Sequence, residues 1–219
     1  MTFFRNHWYD IGGIVGVCVA IAIWLNWGGM STLLKIAALN FFVILWHEFE
    51  EFRLPGGEPA ITNLAMQPST DGPADRYPLN QNNAMVINVA AAYVCYLLPV
   101  FFPEVIWLGF MPIVFGIAQL VMHVILTPIK IHALYSPGEL AVVFGHLPLG
   151  IWWFIYTINN GLLDWLSVLF GLLYTVAFIG IFMLRIGYGT LKSTSSSYVF
   201  PQTEFERAGY AERIRNQKK

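Results

Sequence analysis

Charged residues are scarce in this sequence: Asp, Glu, Lys and Arg make up 11% of its 219 residues, whereas hydrophobic residues make up 57%. An ordinary soluble domain has ~25% charged residues, which cover its surface. So few charges could not cover a soluble core of this size, and that class is excluded. The aromatic content of 16% also excludes a disordered chain, because disordered segments carry few aromatic residues. A polytopic membrane protein is the class that remains.

An excess of basic residues and cysteine motifs are also missing. Twelve Lys and Arg residues face thirteen Asp and Glu residues, a formal net charge of −1, whereas nucleic-acid-binding domains are usually basic. We therefore expect no nucleic-acid partner. The two cysteines, Cys18 and Cys95, lie in separate apolar runs and form neither a paired-cysteine metal motif nor a disulfide framework. We interpret both as small apolar side chains.

Long apolar runs are what the sequence has in abundance. A transmembrane α-helix needs about 20 mostly apolar residues, and six such runs occur here, joined in pairs by short turns. Short connections make antiparallel neighbours. We therefore predict an all-α fold, a polytopic membrane bundle of six transmembrane helices arranged as three antiparallel hairpins. The six predicted helices cover roughly residues 11–27, 33–46, 85–102, 105–126, 140–158 and 162–184.

The basic residues predict how this bundle is oriented. Six helices place both termini on one side of the membrane, and that side would carry eleven of the twelve Lys and Arg residues, with only Lys35 opposite. Because cytoplasmic loops are enriched in Lys and Arg, we predict that both termini are cytoplasmic. The eleven residues are Arg5, Arg53, Arg76, Lys130, Arg185, Lys192, Arg207, Arg213, Arg215, Lys218 and Lys219.

Outside the helices, the sequence predicts one long loop and a polar tail. The loop, residues 54–83, contains five prolines and directly follows the second predicted helix. Loops of this length are usually functional or disordered, and we interpret this one as a lid over a site at the helix end. We assign residues 1–192, including the loop, to one transmembrane domain. Residues 193–219 would be a cytoplasmic tail, either a short interfacial helix or a solvated segment.

The end of the second predicted helix carries ionisable residues, which are costly at membrane depth. Glu50 and Glu51 follow His47 by three and four positions, so these side chains share one helical face. Glu48 points roughly 100° away from His47, and Asn40 lies two turns below it. An imidazole beside two carboxylates can be half of a metal site, can transfer protons, or can be a solvated helix end.

A second group of polar residues follows later in the chain. Gln119 and His123 are four apart on the fourth predicted helix, so they share a face. The proline of the segment 135–138 favours the start of a new helix, on which Glu139 and His146 share a face. The polar residues of both groups map to the cytoplasmic half of the bundle, and His146 lies deeper. They are His47, Glu50, Glu51, His123, His132 and Glu139. A random scatter of polar residues would not concentrate in one leaflet.

Two of these segments resemble a known family. The segment His47-Glu48-Phe49-Glu50-Glu51 matches the defining motif of the HXXEE domain proteins, which are bacterial integral-membrane proteins without an assigned activity. That family also has a further histidine, best matched by His123, and a Tyr-x-Pro-Gly motif, matched by Tyr135-Ser136-Pro137-Gly138. The resemblance implies a protein of the bacterial inner membrane, and it implies no particular reaction.

Other signatures of known enzymes are incomplete. A zincin needs His-Glu-x-x-His, and its inverted form needs His-x-x-Glu-His; both fail at Glu51. The embedded prenyl-protein proteases have a Glu-Glu-x-x-x-Arg pattern, in which Pro55 replaces the arginine here. The glycine-containing segment 54–57 lacks the lysine of a phosphate-binding loop. We therefore assign none of these activities.

Our leading hypothesis is a membrane-embedded, metal-dependent enzyme with a site near the cytoplasmic interface and a lipid-like or small substrate. The alternatives are a small transporter of cations or protons, and a structural protein, in which Arg53 or backbone amides would satisfy each carboxylate. The ligands would suit Zn, Fe or Mn equally. The predicted catalytic residues are Glu50, Glu51 and Tyr135. The predicted metal ligands are His47, Glu50, Glu51, His123, His132, Glu139 and His146.

Overall fold

The computed structural model describes residues 2–217, over which the chain is made of helices and connecting loops. Within these residues, six helices are long and apolar enough to cross a membrane, which confirms the predicted class and the number of spans. Lys218 and Lys219, which the predicted orientation includes, lie outside the described residues. The first to sixth helices, in chain order, are Thr2–Gly29, Thr32–Phe52, Gln81–Phe101, Ile106–Ile131, Glu139–Asn159 and Trp165–Thr190.

The second helix is longer than its apolar run. It begins at Thr32, where the Ser31 hydroxyl accepts a hydrogen bond of 3.2 Å from the Leu34 amide and so caps the helix. It continues to Phe52, because the acidic segment that ended the apolar run is buried inside the bundle rather than exposed beyond it. The ionisable residues of this segment are therefore presented on a regular helix.

Close packing joins the second helix to the first. Gly13 and Gly16 of the first helix lie directly against large side chains of the second. A Cβ atom at Gly13 would be 2.9 Å from the Phe49 ring, and one at Gly16 would be 2.8 Å from the Trp46 indole nitrogen. Small residues of this kind let membrane helices approach closely, and here they provide a flat surface for two aromatic rings.

The fourth helix lies between the fifth and the sixth. Short turns join the helices in the predicted pairs, and the sixth helix packs principally against the fourth. Gly171 of the sixth helix faces the Phe110 ring, and the rings of Trp107 and Tyr174 meet at 5.8 Å. These contacts lie in the half of the bundle away from the chain termini, called the far side below. The opposite half, which carries both ends of the described chain and the long loop, is called the terminal side.

The long loop is folded against the terminal side. It contains a short helical segment, Glu58–Ile61 followed by Thr62–Met66, called the loop helix below. The Asn63 amide ties the loop together: its nitrogen donates to the carbonyl groups of Ala74 and Leu79 at 2.7 and 2.8 Å, and its oxygen accepts from the Leu79 amide at 2.8 Å. A buried amide with these three partners gives the proline-rich segment a defined structure.

The polar tail is also folded. It contains the helices Gln202–Phe205 and Tyr210–Gln217. Tyr210 and Ile214 are buried against Ile61 of the loop helix and Ile131 at the end of the fourth helix. The tail therefore covers the loop from outside, a position that its polar composition did not indicate.

Candidate metal centre

The site is built around His47 and Glu51 of the second helix. Because they are four residues apart, their side chains lie on the same helical face, and His47 Nε2 is 3.4 Å from Glu51 Oε1. Both are buried, His47 with 1% of its surface exposed. A buried carboxylate and a buried imidazole each need a polar partner, so this pair indicates a site rather than a solvated helix end.

His123 of the fourth helix completes the cluster. Its Nε2 lies 3.3 Å from the same Glu51 oxygen, and its ring meets the His47 ring edge-on at 4.8 Å between centroids. One ligand atom from each of the three residues lies within 4.8 Å of the others. His123 is carried on a π-helical turn, Val121–Leu126, a local widening that is frequent at functional sites.

A hydrogen bond determines which nitrogen of His123 faces the cluster. The Nδ1 atom is 2.7 Å from the carbonyl oxygen of Pro137, and since a carbonyl only accepts, Nδ1 carries the proton and donates it. Nε2 therefore presents its lone pair to the side of Glu51. Metal-ligating histidines are oriented by a hydrogen bond of this kind. Among the described residues, neither ring nitrogen of His47 makes a hydrogen bond of good geometry, although Nε2 faces the Glu51 carboxylate at 3.4 Å.

The backbone conformation and the surroundings of Gly138 explain why the Tyr-x-Pro-Gly motif ends in glycine. Its φ of +92° is in the left-handed region, and an added Cβ would lie 2.8 Å from Cε1 of both His47 and His123. Both the backbone conformation and the space therefore require glycine. The turn of residues 135–138 thus closes the cluster on one side.

Glu50 holds this turn in place. Its Oε1 accepts from the Tyr135 hydroxyl at 2.6 Å and from the Leu140 amide at 3.1 Å, while Oε2 accepts from the Ala141 amide at 3.0 Å. These amides begin the fifth helix, whose positive dipole end favours a carboxylate. Burial and the Glu50 carboxylate raise the pKa of Tyr135 above its ordinary value, so the phenol remains a donor. Glu50 therefore links the second helix to the fifth, and both of its carboxylate oxygens already accept hydrogen bonds.

The other predicted ligands have separate positions. Glu139 accepts a hydrogen bond of 3.0 Å from the Ser136 amide and stabilises the turn. His132 is exposed at the end of the fourth helix, with a φ of +48°. His146 is buried behind His47, with the ring centroids 5.7 Å apart, and its Nδ1 donates to the Asn40 side-chain oxygen at 2.8 Å. The structure thus gathers three of the seven predicted ligands in one cluster, and His146 is adjacent to it.

Glu50 and Glu51, the paired glutamates of the motif, differ in how their charges are compensated. Arg53, which could have paired with either, instead pairs with Asp10 at 3.1 Å. Glu50 is satisfied by backbone amides and a phenol, as expected for a structural residue. Glu51 faces two imidazoles and a cavity. The structural interpretation therefore fits Glu50, and the site interpretation fits Glu51.

Two further acidic residues were absent from the predicted site. Glu48 is fully buried, and its Oε1 has no hydrogen-bond partner within residues 2–217; its only signal in the sequence is an acidic residue within an apolar helix. Glu58 of the loop helix accepts a hydrogen bond from the Thr62 hydroxyl. Burial, together with the Glu51 carboxylate, raises the pKa of Glu58 well above its ordinary value. No spacing rule could have identified Glu58, because the fold of the loop brings it to the site.

A cavity of about 230 Å³ lies beside the cluster. His47, Glu51 and His123 line one end of it, together with Glu58 and Thr62. The loop helix therefore forms part of the cavity wall, as a lid would, although a lid function stays a prediction. Gln119 also lines the cavity, on the same side of the fourth helix as His123.

The fold and the cluster together define a class: a helical membrane protein with a buried group of two histidines and one glutamate that could hold a metal ion. The family model described as "Protein of unknown function with HXXEE motif" matches residues 38–153, more than half of the chain. The chain therefore belongs to the HXXEE family, as its motifs predicted. The comparisons with curated proteins and with solved structures found no match.

Proposed function

We propose that this protein is a membrane-embedded, metal-dependent enzyme whose divalent metal is held by His47, Glu51 and His123. One observation carries the proposal: three buried ligand atoms from two helices converge, and the two imidazoles offer nitrogens that are not engaged elsewhere in a hydrogen bond. Two buried imidazoles that share one carboxylate oxygen are incompletely paired in an apolar bundle, which is costly. A metal ion bound there would remove that cost.

Two of the three spacings between these atoms match a metal site. The Glu51 oxygen lies 3.4 Å from His47 Nε2 and 3.3 Å from His123 Nε2, and all three ligand atoms lie within 4.8 Å of one another, so the two imidazoles would draw closer together around a bound ion. Ligands bound to zinc at about 2.0–2.1 Å in a tetrahedral arrangement lie about 3.3 Å from each other. Two histidines and one carboxylate form the ligand set of catalytic zinc sites with an open fourth position, and also of non-haem iron sites. The donor set suits zinc, iron or manganese.

The residues around the cluster have distinct roles in this proposal. A bound metal would supply Lewis-acid chemistry or an activated water. The Pro137 carbonyl and Gly138 position the imidazoles, and Glu50 fixes the turn that carries both. Glu58 faces the same cavity with its carboxyl group held by Thr62, where it can give a proton to a bound substrate or take one from it.

The position of the site supports a substrate that is reached within or at the membrane. The cluster lies in the terminal half of the bundle, near the end of the second helix. That half carries the Lys and Arg residues that favour the cytoplasmic side, so we place the site near the cytoplasmic face of a bacterial inner membrane. A lipid-like substrate would reach it without leaving the bilayer.

The test is the metal content of protein purified without chelators. We expect about one divalent metal per chain in the parent, and little in the variants His47→Ala, Glu51→Gln and His123→Ala, because three ligands are the minimum for such a site. His132→Ala is the matched control, since this histidine is exposed and away from the cluster. Equal metal content in the parent and all four variants would refute the proposal.

A further inference from the structure

The lining of the cavity beside the cluster combines a polar group with mainly apolar walls. The polar group is the three cluster residues with Glu58 and Thr62. The third, fourth and sixth helices contribute mainly apolar side chains, with the polar Asn88, Gln119 and Tyr188 among them. The apolar ones include Ile87, Ala91, Phe115, Met122, Met183 and Leu184. A cavity that offers both a polar cluster and an apolar wall is complementary to an amphiphile.

The fourth and sixth helices separate on the terminal side. On the far side they pack closely, through Phe110 against Gly171, and near the middle the rings of Phe115 and Phe178 meet at 6.0 Å. Beyond that point the sixth helix turns to the third: a Cβ at Gly187 would lie 2.5 Å from the Ile87 side chain. The space left between the fourth and sixth helices contains the cavity.

The cavity reaches the protein surface between these two helices. Met122 and Leu184 both line it, yet they are 38% and 54% exposed. Met122 lies nine residues before the end of the fourth helix, and Leu184 six residues before the end of the sixth. At 1.5 Å per residue these positions are about 14 and 9 Å inside the helix ends, at the depth of lipid chains in a bilayer. An opening at this depth would face lipid, whereas the exposed Gln67 marks a second opening at the loop.

We infer that the cavity binds a single-chain amphiphile with an oxygen-containing head, such as a fatty acid or its ester, that enters from the bilayer between the fourth and sixth helices. The head lies at the cluster, and the chain lies along Met183 and Ile87. Its volume of about 230 Å³ is below the ~300–1,000 Å³ of ordinary small-molecule sites, so it holds the head and the first part of one chain, whose remainder extends through the opening, and it leaves no room for a second chain. This inference rests on the proposed function only for the metal that would meet the head.

The probe is an 18-carbon fatty acid with a photoreactive diazirine in the part of its chain next to the carboxyl group, added to the protein in phosphatidylcholine vesicles. After irradiation, mass spectrometry maps the labelled residues. We expect labelling of Met183, Ile87 or Phe115 that excess unlabelled fatty acid removes. Labelling confined to outward-facing residues such as Leu173, which is exposed on the sixth helix and absent from the cavity lining, would overturn the inference.

Variants at the opening test the route. Leu184→Trp or Met122→Trp should lower the interior labelling about tenfold, because an indole fills a space that one chain needs. Leu173→Trp is the control on the same helix. Gln67→Trp tests entry through the loop, since Gln67 lines the cavity but is exposed at the loop; a loss of labelling there, with none at Leu184→Trp, would contradict lateral entry.

The outcomes also separate this inference from the proposed function. Leu184→Trp should retain the metal content of the parent, because it changes the opening and leaves the ligands intact. Metal in the parent without interior labelling would reject the amphiphile and leave the metal enzyme standing. Interior labelling in a parent without metal would support the binding site and reject the metal enzyme.

Discussion

The two halves of the bundle are built differently. On the far side, apolar and aromatic side chains interlock, as where Phe110 packs on Gly171 and Trp153. On the terminal side, the helices enclose buried histidines and carboxylates, and a cavity separates the fourth helix from the sixth. Apolar packing carries no polar desolvation cost, whereas the terminal half buries groups that need partners. Packing on the far side thus stabilises the bundle. This stability offsets the desolvation cost of the polar groups that are buried on the terminal side.

The largest effect on stability is expected when one glycine from each half is replaced by alanine. Gly138→Ala should destabilise the protein by about 3 kcal/mol and remove bound metal, because alanine is strained at this φ and overlaps both imidazoles. Gly171→Ala should cost about 2 kcal/mol, since its Cβ would lie 2.5 Å from the Phe110 ring, while the metal content stays unchanged. Unfolding midpoints in detergent and metal analysis measure both effects.

A third glycine distinguishes the cost of backbone strain from the cost of side-chain overlap. Gly161 has a φ of +62° with no atom within 4 Å of an added Cβ. Gly161→Ala should therefore cost only about 1 kcal/mol and leave the metal in place. If Gly138→Ala behaves like Gly161→Ala in both measurements, the turn of residues 135–138 does not support the cluster.

Within the terminal half, the neighbouring residues Glu50 and Glu51 can be compared for their effects on stability and on metal content. Glu50→Gln should lower stability by about 1–3 kcal/mol, because an amide cannot accept all of the hydrogen bonds that this carboxylate makes. Its metal content should remain near that of the parent. Glu51→Gln should lose the metal, so chelator treatment should change the stability of this variant less than that of the parent. The opposite result for the two variants would reverse the roles assigned to them.

The smallest expected effect is a pH dependence of stability that is caused by Glu58 of the loop helix. Burial, with the Glu51 carboxylate nearby, raises the pKa of Glu58 above its ordinary value, so the folded protein holds this proton more tightly than the unfolded chain. The resulting stabilisation is complete below the unfolded pKa and is lost as the pH rises through the folded pKa. Thermal unfolding of chelator-treated protein should therefore show falling stability above the ordinary pKa of a glutamate.

Glu58→Gln is the variant that isolates this effect. A glutamine side chain cannot titrate, so the stability of the variant should fall less as the pH rises than that of the parent. Glu206→Gln is a control, because Glu206 is exposed in the tail. Identical pH profiles for the parent and Glu58→Gln would show that the Glu58 carboxyl is not desolvated beside Glu51 as its raised pKa requires.

The sequence by itself determined the class, the number of helices and the family. These follow from local properties: the length of apolar runs sets the spans, and a motif such as His47–Glu51 is read within a few residues. Helical periodicity also placed His47, Glu50 and Glu51 on one face, and paired Gln119 with His123. Properties that depend only on neighbouring positions can be predicted without knowledge of the fold.

Only the tertiary structure decided which of those residues form the cluster. Sequence spacing allowed Glu50 and Glu51 the same role, but the position of the fifth helix gives Glu50 its amide partners and leaves Glu51 to the histidines. The Glu58 carboxyl group reaches the cavity because Asn63 fixes the loop and the tail covers it. These are contacts between segments far apart in the chain, and their geometry depends on how whole helices pack rather than on any local pattern.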